Sequence, residues 1–299
     1  MKKRLRMNPI LKKELMVGSR SIKMSMAIFG INAILTLIVI IVMATLNYTA
    51  EFSGYEYSSL LWLFPILGCA ECGLISLIVP IITSGSISGE RERQTLDIML
   101  TTPLSPFSIA VGKLASAMAV VMMYMISSIP ILAISFVLGG MSWWALLGLL
   151  GMLFYLGIYV GSIGVFCSSV VKKSIMATVL TIMIGILIIV ITMSIFYGWQ
   201  GILTFRSMKY GTPVIINMAP LSLMLNPYSP IFDFMVRTMS SSSIYDMVID
   251  TGTDPKILLF LYRFWIPISM FLNLLISFGF LKLAAVKICA TKNRKQKKG

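Results

Sequence analysis

The sequence contains no histidine and very little charge. Only 12% of its 299 residues are charged, whereas 58% are hydrophobic and the mean hydropathy is +0.91. Soluble domains carry about 25% charged residues, so the composition excludes an ordinary soluble enzyme or binding domain. A chain of this length can form about six membrane-spanning helices of roughly 20 residues each. We therefore predict an all-α integral membrane protein.

Residue types that support catalysis or metal binding are also scarce. Three of the four cysteines, Cys69, Cys72 and Cys167, fall within apolar runs. The first two have the spacing of redox and zinc motifs, but zinc sites usually add histidine or further cysteines. We interpret these cysteines as small apolar residues of the membrane core. We expect no catalytic residue, no metal site and no cofactor held by this chain.

Six apolar runs are long enough to cross the hydrocarbon core, which is roughly 30 Å thick, as helices. They comprise residues 24–46, 60–83, 107–138, 144–167, 174–197 and 264–286. The fourth run carries Gly157-x-x-x-Gly161, a motif that is common where membrane helices pack closely. We treat residues 1–299 as one transmembrane domain.

The basic residues predict the orientation of the chain. With the N-terminus in the cytoplasm, 20 of the 25 lysines and arginines are cytoplasmic, and the exceptions are Arg206, Lys209, Arg237, Lys256 and Arg263. Cytoplasmic loops carry an excess of these residues, so we predict that both termini are cytoplasmic. The net charge of +14 then lies mainly beside anionic lipid. This distribution favours the lipid bilayer, and no nucleic acid, as a partner.

The basic leader contains a helix-start signal. Asn8 can cap a helix, and Pro9 has the fixed φ that suits a first helical turn. Lys12, Lys13 and Glu14 then alternate with apolar residues. This pattern predicts an amphipathic helix along the inner membrane surface. The alternative is a basic leader that only directs topology.

A second amphipathic helix is predicted within the outer stretch, residues 198–263. Asn226 and Pro227 repeat the start signal, and apolar residues recur mostly every three or four positions opposite Ser229, Asp233 and Arg237. The helix lies on the outer leaflet or enters it as a re-entrant element. We interpret Asp233 and the three following aspartates as a solvated outer rim.

A dense mixed-charge cluster follows the second apolar run, at Glu90, Arg91, Glu92 and Arg93. Each charge costs roughly 2.5 to 3.5 kcal/mol at the centre of a membrane-spanning helix. We therefore predict that the cytoplasmic segment 84–106 is a solvated loop or an interfacial helix. Lys113, near the start of the third run, is expected to extend its ammonium group to the surface.

Glu71 is the one carboxylate deep within an apolar run. An acidic residue inside a membrane is a functional hypothesis, since its burial is costly. It either contacts a cationic substrate or joins a polar network between helices. We favour the network, in which Glu71 pairs with a serine, threonine or asparagine such as Asn32 or Asn273.

The order of these elements resembles a known family. The leader reads Asn-Pro-Ile-Leu-Lys-Lys-Glu-Leu, residues 89–97 read Gly-Glu-Arg-Glu-Arg-Gln-Thr-Leu-Asp, and Thr-Pro-Leu-Ser at 102–105 and Gly112-Lys113 follow. The chain resembles the transmembrane subunit of exporter-type ABC transporters, through its whole topology and through a specific motif at about residues 85–113. Gln94 stands where that family often has glycine.

The resemblance implies six spans with an elbow helix at Asn8–Arg20, a coupling helix at Glu90–Leu100 and outer helices around Pro227–Met239. It implies that a separate cytoplasmic ATPase docks on Glu90, Arg91, Glu92, Arg93, Thr95 and Leu96. It also implies a second permease, identical or different, in a bacterial plasma membrane. The sequence contains no G-x-x-x-x-G-K-[ST] motif, so ATP and Mg²⁺ are expected in the partner.

Two other classes of function are weighed against this interpretation. A membrane-embedded enzyme would usually show histidine or paired carboxylates near the interface. A non-transporting scaffold or sensor would use the Glu90–Arg93 segment to recruit some other cytoplasmic protein. Copurification of an ATPase would distinguish a transporter from both.

Overall fold

The computed structural model describes residues 22–53, 60–95, 105–140, 142–210, 219–240, 243 and 256–296. Within these ranges the chain is helical and contains no strand, which confirms the predicted all-α class. The helices are α1 (Ile22–Ser53), α2 (Leu63–Glu92), α3 (Pro106–Gly139), α4 (Trp143–Val170), α5 (Ser174–Tyr210), α6 (Ala219–Leu223), α7 (Ser229–Ser240), α8 (Lys256–Arg263) and α9 (Trp265–Gln296).

Six of these helices are long and apolar enough to cross a membrane, which confirms the predicted number of spans. They are α1, α2, α3, α4, α5 and α9. Of these, α2, α5 and α9 run well past their predicted ends, and α9 continues beyond residue 286 to Gln296. The helix α2 continues beyond residue 83 to Glu92, because side chains from neighbouring helices bind its polar last turns. The helix α5 continues beyond residue 197 to Tyr210, since no proline interrupts that stretch.

Serine caps and a left-handed glycine define the start of α3 and its turn into α4. The Ser105 hydroxyl accepts the Ser108 N–H at 3.2 Å, directly before Pro106 at the first helical position. At the other end of α3, Gly140 has φ 64°, a conformation that glycine adopts without steric cost. The Ser142 hydroxyl then accepts the Ala145 N–H at 3.3 Å and starts α4. These signals produce a short connection between two spans.

The described residues fall into two compact units, and the first comprises Met1–Ile182 with Ser277–Gly299. Helix α4 is central to it, since 67% of its most apolar window is buried and it packs against both α2 and α3. Its glycines allow this approach. A Cβ at Gly161 would lie 2.7 Å from Leu114 Cδ1, and one at Gly164 would lie 1.9 Å from Thr83 Oγ1. The packing role predicted for the glycine motif is confirmed here.

The second unit, Met183–Ile276, has its own core. Trp265 is fully buried there with Leu223, Met224 and Tyr262. The Met224 carbonyl accepts hydrogen bonds from Ser269 Oγ at 2.8 Å and from Asn273 Nδ2 at 3.0 Å. These two side chains thus satisfy a backbone carbonyl that the end of α6 leaves unpaired.

The predicted outer amphipathic helix is α7, but its polar residues are oriented differently from the prediction. Asp233 is fully buried rather than solvated, whereas Phe232 is 51% exposed. The Asp233 carboxylate accepts Arg237 Nε at 2.8 Å and Ser243 Oγ at 2.7 Å. These two donors compensate the desolvation of the carboxylate, which a hydrophobic pattern alone cannot reveal. The three other aspartates of the predicted rim, Asp246, Asp250 and Asp254, lie outside the described residues.

Candidate coupling site at the charged end of the second span

The charged cluster lies at the end of α2. Glu90, Arg91 and Glu92 occupy its last turn, so residues 84–92 are neither a loop nor a separate interfacial helix, and that prediction is wrong for this part of the segment. Gln94 follows with φ 58°. The Gln94 N–H donates to the Arg91 carbonyl at 3.2 Å, and the Thr95 N–H donates to the Glu90 carbonyl at 2.9 Å. This is a Schellman motif, whose left-handed position favours glycine.

Glu90 connects α2 to α3. Its carboxylate lies 3.4 Å from Lys113 Nζ and also accepts a hydrogen bond from Thr95 Oγ1. The Lys113 side chain is 7% exposed, so the prediction that it extends to the surface is wrong. A buried ammonium group needs a nearby anion, and Glu90 supplies it.

Arg91 connects α2 to the end of α4. Its guanidinium donates to the Ser169 and Val171 carbonyls, each at 3.3 Å. The last carbonyls of a helix have no partner within the helix, and the C-terminal end of the helix dipole attracts a cation. Arg91 therefore satisfies two acceptors that α4 itself cannot satisfy.

Glu92 connects α2 to the start of α5. Its carboxylate accepts the Ser174 N–H at 2.8 Å and the Ser174 hydroxyl at 3.0 Å. An acceptor at a helix N-terminus satisfies unpaired N–H groups and suits the positive end of the helix dipole. Three consecutive side chains thus bind three different helices. Arg93, the next residue, is exposed and makes no side-chain hydrogen bond within the described residues.

A set of hydroxyl groups beneath this cluster was not predicted. Ser168 Oγ of α4 accepts the N–H groups of Ile87 and Ser88 at 2.9 Å and donates to the Ser84 carbonyl. Ser84 also shares a hydrogen bond with Thr178 of α5. The spacing of Ser84 and Ser88, one helical turn apart, was the available sequence signal. These contacts join the end of α2 to the end of α4 and the start of α5.

A cleft of about 400 Å³ opens between α2 and α3 beside the charged cluster. Ile82, Gly85, Ser86, Gly89, Glu90, Glu92, Arg93, Lys113, Ser116, Ala117, Val120 and Ser174 line it. All of the charged residues in this lining belong to the cluster or pair with it. The cleft therefore has one charged end and one apolar end.

Glu71 is buried in the interior of α2, with 4% of its surface exposed. The carboxylate interacts with the Ser128 hydroxyl, and its Oε2 atom has no hydrogen-bond partner among the described residues. The expected partners bind elsewhere, since Asn32 donates to Ser127 Oγ at 3.0 Å and Asn273 binds the Met224 carbonyl. The polar contact is thus made by a serine, one of the expected residue types, and by neither of the two asparagines named as examples.

Several predicted site residues lie outside the described residues. They are Leu96 of the coupling segment and Asn8, Pro9, Lys12, Lys13 and Glu14 of the elbow helix. The predictions for these residues remain predictions.

The family comparison covers most of the elements described above. The model of the family described as ABC-2 family transporter protein matches residues 63–283, which is more than half of the chain. No curated protein matches the chain. Permeases of this family associate in general with an ATPase subunit. The chain therefore belongs to the ABC-2 family of transporter proteins, as the multi-pass membrane permease component of an ABC transporter.

Proposed function

We propose that this chain is the permease subunit of an exporter, and that the end of α2 receives the movement of a separate cytoplasmic ATPase. One observation carries the proposal. Glu90 pairs with Lys113 in the third turn of α3, Arg91 binds the end of α4 and Glu92 binds the start of α5. A displacement of this one turn is therefore transmitted to three other spans.

In the proposed mechanism, Arg93 and the residues after it, including Thr95 and Leu96, contact the ATPase. Arg93 is suited to such a contact because its exposed guanidinium can form charge-assisted hydrogen bonds with an acidic partner surface. The ATPase binds ATP and Mg²⁺ and performs hydrolysis, so the permease itself is not an enzyme. Closure of the ATPase then shifts a helix bundle that has two arrangements.

The proposed assembly contains a second permease, identical or different, in a bacterial plasma membrane. In this assembly we expect both termini in the cytoplasm and the predicted Asn8–Arg20 elbow helix along the inner surface. Only 17% of the apolar segment of α1 and 11% of that of α5 is buried. Their exposed apolar faces are available to lipid and to the second permease.

The proposal is tested by tagging the chain, solubilising it gently from its native host and identifying what copurifies. The diagnostic variant is Arg93→Glu, because Glu90 and Glu92 bind neighbouring helices and their removal would disturb the fold. Arg206→Glu is the matched control, since Arg206 is also exposed and lies near the opposite end of α5 from the cluster. Both variants change the charge by the same amount.

We expect the wild type and Arg206→Glu to retain an ATP-binding-cassette ATPase and Arg93→Glu to lose most of it. ATP-dependent export from intact cells should fail in Arg93→Glu alone. If the folded wild type retains no ATPase, the proposed function is wrong. If both variants retain the ATPase equally, Arg93 is not the docking residue.

A further inference from the structure

The cleft between α2 and α3 has a lining that changes character along its length. Its charged end is formed by Glu90, Glu92, Arg93 and Lys113, and its other end by Ile82, Ala117 and Val120. At 1.5 Å per residue, Ile82 lies about 15 Å along α2 from Glu92, and Val120 lies about 10 Å along α3 from Lys113. The cleft is therefore amphipathic along the direction of the helices, as a lipid molecule is.

The charges at the polar end are balanced. Two carboxylates, from Glu90 and Glu92, face the same cleft as the cations Arg93 and Lys113. Glu90 and Lys113 already pair with each other, and Glu92 accepts hydrogen bonds from Ser174. A head group that carries both a phosphate and an ammonium group therefore adds one charge of each sign and leaves this balance unchanged. A head group with only negative charge would place that charge beside two carboxylates, which is unfavourable.

Two further features leave the cleft ready for a ligand. Ser86 lines it, and the Ser86 hydroxyl is buried without a hydrogen-bond partner among the described residues. Such a group usually has a partner, and a phosphate oxygen would supply one if the Ser86 side chain rotates toward the cleft. Gly85 also lines the cleft, and no heavy atom lies within 4 Å of the position of a Cβ there. The volume of about 400 Å³ lies within the range of small-molecule sites.

We propose that this cleft binds a zwitterionic amphiphile whose head group carries one phosphate and one ammonium group. The phosphate lies toward Arg93, Lys113 and Ser86, the ammonium group toward the two carboxylates, and the chain toward Ile82 and Val120. The ligand comes from the leaflet that the charged cluster faces; this source, and transport of the ligand, rest on the proposed function, whereas binding in the cleft does not. The bound molecule is either a resident membrane lipid or the transported substrate.

The test uses native mass spectrometry of the full chain after exposure to vesicles of equimolar phosphatidylethanolamine and phosphatidylglycerol. Gly85→Leu fills the cleft at its open wall. Gly73→Leu is the matched control on the same helix, because Gly73 is exposed and likewise has no heavy atom within 4 Å of its Cβ position. We expect a phosphatidylethanolamine adduct in the wild type and in Gly73→Leu, and one at least about tenfold weaker in Gly85→Leu.

A milder variant keeps the test decisive if the larger one misfolds. Ser86→Ala removes only the hydroxyl and should weaken the adduct about threefold, as the loss of one hydrogen bond does. Equal binding of the two lipids, or equal binding by Gly85→Leu and Gly73→Leu, would overturn the proposal. The ATPase should copurify with all three variants, so loss of the ligand alone is distinguishable from failure of the proposed function.

A second measurement distinguishes the two sources of the ligand. The complex with its ATPase is reconstituted in vesicles that contain a fluorescent phosphatidylethanolamine, and ATP-dependent transfer between leaflets is followed. Transfer that Gly85→Leu abolishes identifies the amphiphile as the substrate. Binding without transfer identifies a resident lipid. Either result supports the site, provided that Gly85→Leu has lost the adduct.

Discussion

Two of the three acidic residues of α2, Glu92 and Glu71, have very different surroundings. At the end of the helix, Glu92 accepts two hydrogen bonds from Ser174. In the middle of the helix, Glu71 contacts Ser128, and its Oε2 atom has no hydrogen-bond partner within the described residues. Backbone groups inside a spanning helix bind one another, and only the helix ends offer free ones. A carboxylate beside a helix end can therefore accept hydrogen bonds from unpaired backbone groups. A carboxylate beside the interior of a helix has no such donors.

This contrast depends on how closely α4 approaches α2, and Gly164→Ala should break it. The new Cβ would overlap Thr83, move α4 away and weaken the Ser168 and Arg91 contacts with the end of α2. We expect a loss of about 2 kcal/mol in unfolding free energy, which is typical of overpacking. The measurement is thermal unfolding in detergent. Gly151→Ala is the control, since its Cβ would meet no heavy atom within 4 Å, and an equal loss there would refute the explanation.

The role of Glu92 as a cap can be separated from its charge. Glu92→Ala removes the acceptor at the start of α5 and should cost about 1 kcal/mol, as the loss of a helix cap does. Glu92→Gln keeps a side-chain oxygen in reach of the Ser174 N–H and should cost less than half as much. Urea unfolding of the detergent-solubilised protein measures both. Equal losses would show that charge, rather than capping, dominates.

The opposite sign is expected at Glu71. Replacing a buried, incompletely bonded acid with an apolar residue of similar size removes a desolvation penalty. We expect Glu71→Leu to raise the unfolding free energy by about 1 kcal/mol, and Ser128 keeps its hydrogen bond to the Met125 carbonyl. Glu71→Gln should preserve folding and transport, as expected of a structural polar contact. Normal expression with abolished transport in Glu71→Gln would instead indicate contact with the substrate.

The smallest expected effect concerns the turn that ends α2. Gln94 adopts a left-handed conformation that costs a residue with a Cβ more than it costs glycine. Gln94→Gly should therefore stabilise the protein by about 0.5 kcal/mol, a gain limited by the greater freedom of glycine in the unfolded chain. Gln94→Ala keeps the Cβ and should show no gain in the same thermal unfolding assay. A gain in both variants would mean that the glutamine side chain itself is unfavourable.

The sequence predicted the spans because a run of 20 apolar residues leaves a long chain few alternatives in a membrane. It did not predict where α2 ends, because Ser84, Ser88 and the charged residues after them are typical of a polar loop. Only the structure shows that Ser168 binds the backbone of Ser84 and Ser88 and keeps this segment helical. The burial of Asp233 was missed for the same reason. Its partner Ser243 lies beyond the end of α7, and hydrophobic periodicity carries no information about such a partner.

The charged cluster itself was located from sequence, but its contacts were not. Alternating charges indicate that a segment lies outside the hydrocarbon core. They carry no information about partners that are distant in sequence. Lys113 lies 23 residues from Glu90, and Ser174 lies 82 residues from Glu92. Contacts between residues so far apart in sequence can be identified only in the folded structure. The left-handed conformation of Gln94 could have been predicted from the resemblance. The family that this chain resembles often has glycine at this position, which indicates a conformation that favours glycine.

The hydrogen bonds of Arg91 and Glu92 also bear on how the protein is built. Their partners, Val171 and Ser174, lie 80 and 82 residues later and are synthesised after the second span. Both side chains therefore remain hydrated at the membrane surface while the third and fourth spans are inserted. The end of α2 acquires its partners only when the turn into the fifth span has arrived. Closure of this turn therefore cannot precede the synthesis of the first four spans.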